Sequence, residues 1–288
     1  MPTLLEFLSH CYFPATILVG PLIPYRKYIL FVESNGVHNN PECWNASLNR
    51  LLLGIFYLFV YQIGSYYWPL DYLLSAEFSD SSYWYRVTAV AIVAKICMTK
   101  YLSSWLISEG ACIASGVAFD GKDYYSCANI NVLKFETTPT FGGIIKSFNL
   151  KTNSFAAKYI FKRLKFFGNK TVSQALTLIF LSVWHGIDTG YLATFIMEFL
   201  IMKMETEVLA KVEKLRLKSQ LLNKLLNNIV FKAVIYIFFR IYTIYLLGYS
   251  FVPFMYLKTG IWYPILRDTY FYGHIITISW VFISIFLK

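Results

Sequence analysis

Apolar runs long enough to cross a lipid bilayer recur along this chain, and they constrain its fold more than any other feature. A hydrocarbon core of about 30 Å takes about 20 largely apolar residues in helical form. Leu51 to Leu70, Tyr83 to Ile107, Phe231 to Phe251 and Tyr270 to Leu287 meet or approach that length. Val172 to Met202 exceeds it, and Leu4 to Val19 is a shorter candidate broken near Pro14. Between them lie polar stretches, notably an Asn-rich one over 33–49 that reads as a loop. Composition agrees: 57% of residues are hydrophobic and 15% charged, against about 45–50% and 25% in soluble domains. That balance excludes intrinsic disorder, collagen-like structure and a disulfide-rich secreted module. The expected fold is an all-α polytopic membrane helical bundle, a single membrane-embedded domain over residues 1–288. It has six to eight membrane segments plus amphipathic interfacial helices.

The net charge is +10. In a membrane protein such charge marks cytoplasmic loops, anionic lipid headgroups or a phosphorylated ligand. Nucleic-acid binding is not expected, because no recognition motif accompanies it. The densest basic stretch holds Lys146, Lys151, Lys158, Lys162, Arg163, Lys165 and Lys170, interleaved with Phe155, Tyr159, Phe161, Phe166 and Phe167. This is the pattern of an amphipathic segment lying in the membrane surface. Both flanks of 172–202 are basic, which puts both on one side. Two short helices, or one whose second half turns back near Gly186–Gly190, would satisfy that. Lys95 and Lys100 fall inside an apolar pattern, where they either snorkel to an interface or line a wet cavity. Cys11, Cys43, Cys97, Cys112 and Cys127 show no metal-ligand spacing and read as unpaired packing residues, with Cys112–Cys127 as an alternative disulfide.

Of the four histidines, His38 lies in a polar loop and His10 and His274 near segment ends. His185 lies well inside an apolar run, where an ionisable residue is a functional candidate by default. On a continuous helix Ser182, His185, Asp188 and Thr189 would share one face, bracketed by Gly186 and Gly190. Those glycines would admit either a substrate or a neighbouring backbone. An imidazole kept from water is expected to be neutral, and so able to take a proton from an alcohol that is becoming a nucleophile. No GxSxG, Walker A, GxGxxG, HExxH or EF-hand pattern is present. A catalytic His185 would therefore act on the substrate's own hydroxyl, with no covalent enzyme intermediate and no metal.

Two blocks of sequence carry a more specific signal. One is Ser147-Phe148-Asn149-Leu150-Lys151-Thr152-Asn153, continued by Tyr159-Ile160-Phe161-Lys162-Arg163-Leu164-Lys165-Phe166 and Gly168-Asn169-Lys170. The other is Leu181-Ser182-Val183-Trp184-His185-Gly186, followed by Gly190-Tyr191 and Met197-Glu198-Phe199. Together they resemble the membrane-bound O-acyltransferases, most closely the lysophospholipid acyltransferase branch. Gly20-Pro21 with Pro24, Arg26-Lys27-Tyr28 and Leu247-Gly248-Tyr249-Ser250 fit the same branch.

The resemblance implies a polar chamber within the membrane, with His185 as catalytic base and Asn149 as its partner; Asn153 is the competitor for the second place. It implies acyl-CoA as co-substrate, a lysophospholipid acceptor, the bilayer as surroundings and no permanently bound cofactor. A multi-pass endoplasmic reticulum protein is expected. Lys162, Arg163 and Lys165 would attract the CoA phosphates or, alternatively, anionic lipid. The chain looks like a C-terminal portion or short isoform, lacking several family helices before Met1 and the usual basic tail after Lys288. Three alternatives stand beside this reading: a sterol or protein acceptor, a proton-relaying transporter, and an inactive partner of a longer enzyme. The sequence does not speak to oligomeric state.

Overall fold

The computed structural model describes residues 2–33 and 42–286, and all regular structure among them is helical. The first half holds α1 (Leu4–Cys11), α2 (Tyr25–Glu33), α3 (Glu42–Tyr67), α4 (Ala76–Asp80), α5 (Tyr83–Ala114), α6 (Val132–Thr137) and α7 (Phe141–Ile145). The second holds α8 (Leu150–Ala156), α9 (Lys170–His185), α10 (Thr189–Lys218), α11 (Gln220–Asn227), α12 (Ile229–Tyr256), α13 (Thr259–Asp268) and α14 (Tyr272–Phe286). Three segments are long and apolar enough to span a membrane: Cys43–Leu74, Tyr83–Ala114 and Ile229–Tyr256; Tyr272–Ile285 is a shorter apolar helix. His38 lies outside the described residues.

Several boundaries differ from the sequence expectation for local reasons. The helix expected over 4–19 stops at Cys11, ahead of Pro14. The polar residues 42–49 are helical, continuous with the apolar part of α3. The run from 172 to 202 divides at Gly186-Ile187-Asp188 into α9 and the start of α10. Asn169 opens α9, its side-chain oxygen accepting the backbone N–H groups of Thr171 and Val172 at 2.9 and 3.2 Å. These are donors that a helix start otherwise leaves unpaired.

The chain forms two compact units. The first comprises Met1–Tyr66, Ile96–Phe135 and Lys146–Phe155. Here α3 packs closely on α5: a Cβ on Gly54 would stand 2.8 Å from Ile107, and one on Gly110 would stand 3.2 Å from the Ser47 carbonyl. Small residues permit such helix approach where lipid offers no hydrophobic drive. A buried cluster gathers Ile23, Tyr28, Cys43, Cys112, Ile113, Val117 and Cys127. All five cysteines are free thiols, so the alternative Cys112–Cys127 disulfide is not formed.

The second unit comprises Tyr67–Lys95, Glu136–Ile145 and Ala156–Lys288. Here α10 lies between α9 and α12. Segment 136–145 is strapped down by hydrogen bonds. The Tyr236 hydroxyl donates to the Thr137 carbonyl (2.6 Å), Thr243 Oγ1 to that of Pro139 (2.8 Å), and the Phe141 and Gly142 N–H groups to the Glu205 carboxylate (2.7 Å each). Lys95 does not snorkel: its ammonium donates to both Glu136 carboxylate oxygens at 2.7 and 2.8 Å. Glu207 and Lys211, a helix turn apart, both engage Trp280. Its indole N–H donates to Glu207 (2.9 Å), and the Lys211 ammonium stands 5.7 Å from the ring.

Candidate active site

His185 is the last residue of α9, and the helix cannot continue past it because Gly186 adopts φ 150°. A Cβ there would stand 2.8 Å from the Tyr191 ring, so both the backbone angle and the space favour glycine. Gly190 serves a different approach. Its N–H donates to the Leu257 carbonyl at 2.7 Å, and a Cβ would stand 2.1 Å from the Pro253 carbonyl oxygen. Of the two approaches left open from sequence, both glycines admit neighbouring protein groups. The break also corrects the shared helical face. Ser182 and His185 belong to α9, whereas Asp188 precedes α10, and Thr189 Oγ1 is engaged with Thr259 Oγ1 (2.6 Å) and the Leu257 carbonyl (3.2 Å).

What surrounds His185 instead is aromatic. The rings of Trp184, Tyr191, Phe195 and Phe254 have centroids 4.8, 5.6, 5.5 and 5.3 Å from the imidazole, and Tyr191 is stacked nearly parallel to it. The imidazole is half-buried and makes no hydrogen bond among the described residues. The other described histidines are engaged. His10 Nε2 donates to the Ile23 carbonyl at 2.8 Å, and His274 Nδ1 is hydrogen-bonded to the Tyr249 hydroxyl. Among the described histidines, His185 is thus the one with neither ring nitrogen hydrogen-bonded. Ala175, Leu178, Ile179, Leu192, Phe195 and Phe199 line an apolar cleft of about 80 Å³, which Phe195 joins to the histidine's aromatic surround.

Asn149 lies in the first unit, on the turn before α8, with φ 51°. Asparagine tolerates that left-handed conformation better than most residues. Asn129 holds the turn in place, its backbone carbonyl accepting the Leu150 N–H (2.9 Å) and its side-chain oxygen the Lys151 N–H (3.0 Å). Nearby, the Asn131 N–H donates to the Ser147 carbonyl at 2.8 Å. The Asn149 amide side chain makes no hydrogen bond among the described residues, whereas Asn153 Nδ2 donates to the Phe148 carbonyl at 2.9 Å. Of the two asparagines, Asn149 is the one whose amide is available. Asn129 was invisible to motif reading, because it acts through the backbone of a segment distant in sequence.

Lys162, Arg163 and Lys165 are exposed, on a short 3₁₀ turn over Arg163–Phe167 and the residue before it. The basic residues that line a cavity are others: Arg26, Lys27 and Lys151, in the first unit.

Comparison with known proteins identifies the family. The model of the membrane-bound O-acyltransferase family matches residues 1–248. Lysophospholipid acyltransferase 5 of Bos taurus is 37% identical over 297 residues, covering 100% of this chain and 60% of that protein. The proteins of the same name from Homo sapiens and Drosophila melanogaster are 37% and 34% identical, covering 98% and 97% of this chain and 59% and 57% of their own lengths. The chain therefore spans about 60% of the length of these relatives. Its apolar helices make it an integral membrane protein, and the match over most of its length shows that it belongs to the membrane-bound O-acyltransferase family.

Proposed function

We propose that this chain transfers a fatty acyl group from acyl-CoA to the free sn-2 hydroxyl of a lysophospholipid: lysophosphatidylcholine, and also lysophosphatidylethanolamine and lysophosphatidylserine. The observation that carries the reading is His185, an imidazole in aromatic surroundings with neither nitrogen hydrogen-bonded among the described residues. Its support is the name that whole-chain relatives bear.

In this scheme His185 takes the proton of the acceptor hydroxyl. The oxygen attacks the thioester carbonyl carbon, the new C–O ester bond forms and the C–S bond breaks. The CoA thiolate leaves with the proton that the imidazolium returns. Aromatic walls favour the neutral imidazole that a base must be at the outset. The Asn149 amide donates a hydrogen bond to the oxyanion that develops on the carbonyl oxygen, a contribution of about 3 kcal/mol in a dry site. Lys162, Arg163 and Lys165, which are exposed, raise the local concentration of the anionic acyl donor. The scheme needs no metal and no resident cofactor, and its setting is the endoplasmic reticulum membrane.

The test is turnover. Membranes carrying the chain should convert lysophosphatidylcholine and a polyunsaturated acyl-CoA into phosphatidylcholine. His185→Ala at equal expression should lower that rate by about 10²–10⁴-fold. Undiminished turnover in the variant would remove His185 from the role. Turnover with a sterol and none with any lysophospholipid would reassign the acceptor.

A further inference from the structure

The first unit contains a cavity of about 630 Å³, within the size range of small-molecule sites. Arg26, Lys27 and Lys151 supply positive charge to its wall, while Leu30, Phe31 and Phe119 supply apolar surface. Two of the cations meet on a single residue. The Lys27 ammonium, from α2, donates to Ser126 Oγ, and the Lys151 ammonium, from α8, donates to the Ser126 carbonyl. Ser126 Oγ in turn donates to the Ala118 carbonyl. Two like charges are thus gathered around one neutral residue, and they repel each other unless an anion joins them.

The nearby carboxylates do not fill that role. Asp120 lines the cavity, but its Oδ1 accepts the backbone N–H groups of Lys122 and Asp123, each at 3.1 Å, within its own loop. Those two bonds hold its carboxyl below the usual range. Glu109 is buried at 3.1 Å from Arg50. Burial, with the Lys27 charge adding to it, pushes the Lys151 ammonium below its ordinary value, against the opposing pull of Cys127 and, more weakly, Glu109.

We propose that this cavity is a phosphate site: Lys27, Lys151 and Arg26 take the non-bridging oxygens of a phosphate ester, and the apolar wall takes the ligand's carbon skeleton. A phosphate offers several acceptor oxygens to three converging donors. Lys151 stands two residues beyond Asn149. In a lysophospholipid the phosphate is carried on the carbon next to the sn-2 carbinol, so a reacting hydroxyl at Asn149 would bring a phosphate close to Lys151. That link rests on the acyl-transfer reading; the anion site does not. The same chemistry is carried by the CoA phosphates, and the experiment separates the two sources.

The full chain is purified in detergent, and binding of lysophosphatidylcholine, of CoA and of a monoacylglycerol without phosphate is measured by equilibrium dialysis. The double variant Lys27→Gln with Lys151→Gln should weaken at least one phosphate-bearing ligand at least about tenfold and leave the monoacylglycerol unchanged. Loss for lysophosphatidylcholine alone assigns the lipid headgroup; loss for CoA alone assigns the nucleotide. A wild-type measurement covers the case in which the variant does not fold. At least one of the two ligands, at 1 mM, should slow acetylation of Lys27 and Lys151 several-fold relative to exposed Lys122. Unchanged affinity for both ligands in a folded variant overturns the proposal, as does equal acetylation with and without either ligand. His185→Ala should keep this binding while losing turnover, so the failure of one reading does not imitate the failure of the other.

Discussion

Helix α5 contributes a charge to an ion pair in each unit, and the two pairs are built in opposite ways. In the first unit Glu109 is completely buried, with Arg50 Nε 3.1 Å away. No aligned hydrogen bond completes the Glu109 carboxylate among the described residues. In the second unit Lys95 meets Glu136 at 2.7 Å with both side chains about one-third exposed, and Arg240 stands 4.0 Å from the same carboxylate. The first pair has a single cation in contact with a buried carboxylate, while the second has a spare cation and partial exposure. The candidate site residues follow the same division. Asn149 lies in the unit rich in buried and converging charge, and His185 in an aromatic surround. A base that must start neutral gains from the absence of charge, and a donor or phosphate contact gains from its presence.

The loss of Arg50 should cost the protein most. A buried carboxylate that loses its partner costs about 3–5 kcal/mol, whereas replacing both members by apolar residues can be neutral. Arg50→Met should therefore abolish the monodisperse peak in heated detergent extracts, and Arg50→Met with Glu109→Leu should restore most of it. A double variant no more stable than the single one would mean that Arg50 acts through packing, and that Glu109 is not the dependent member.

Next in size is the donor assignment. Asn149→Gly removes the amide while suiting the φ of 51°, so it separates chemistry from backbone strain. Turnover should fall about 10²–10³-fold, the cost of losing one oxyanion donor. Asn153→Ala, which removes a hydrogen bond to the Phe148 carbonyl, should lose far less turnover. The reverse order, with Asn153→Ala inactive and Asn149→Gly active, would transfer the role to Asn153.

The long helices were legible because apolar length is a local property: α5 begins at the residue its run predicts, though it continues past Ile107 to Ala114, and α12 brackets its run on both sides. The division of 172–202 was legible as a conflict between basic flanks and run length, and Gly186 marks where it falls. What the sequence hid depends on contacts between distant segments. A helical wheel through His185 put Asp188 and Thr189 beside it, because periodicity takes no account of a glycine at φ 150°. The basic block at 162–165 drew attention by density, yet its side chains are exposed. The cations that share a cavity come from α2 and α8, more than a hundred residues apart. Asn129 positions Asn149 by bonding backbone N–H groups, which no side-chain pattern records.

The smallest effect is expected at Arg240, and it closes the comparison between the pairs. Arg240→Gln removes a cation 4.0 Å from Glu136, but Lys95 keeps both of its hydrogen bonds to that carboxylate. The shorter glutamine also gives up the guanidinium's hydrogen bond to the Thr138 carbonyl, now 3.1 Å, a single contact at the edge of the group. With a second cation in place and Glu136 partly exposed, the loss should stay within about 1 kcal/mol. The heated extract of this variant should match wild type where that of Arg50→Met does not. If both variants collapse alike, burial is not what separates the pairs, and the Lys95–Glu136–Arg240 group would have to be as indispensable to the second unit as Arg50–Glu109 is to the first.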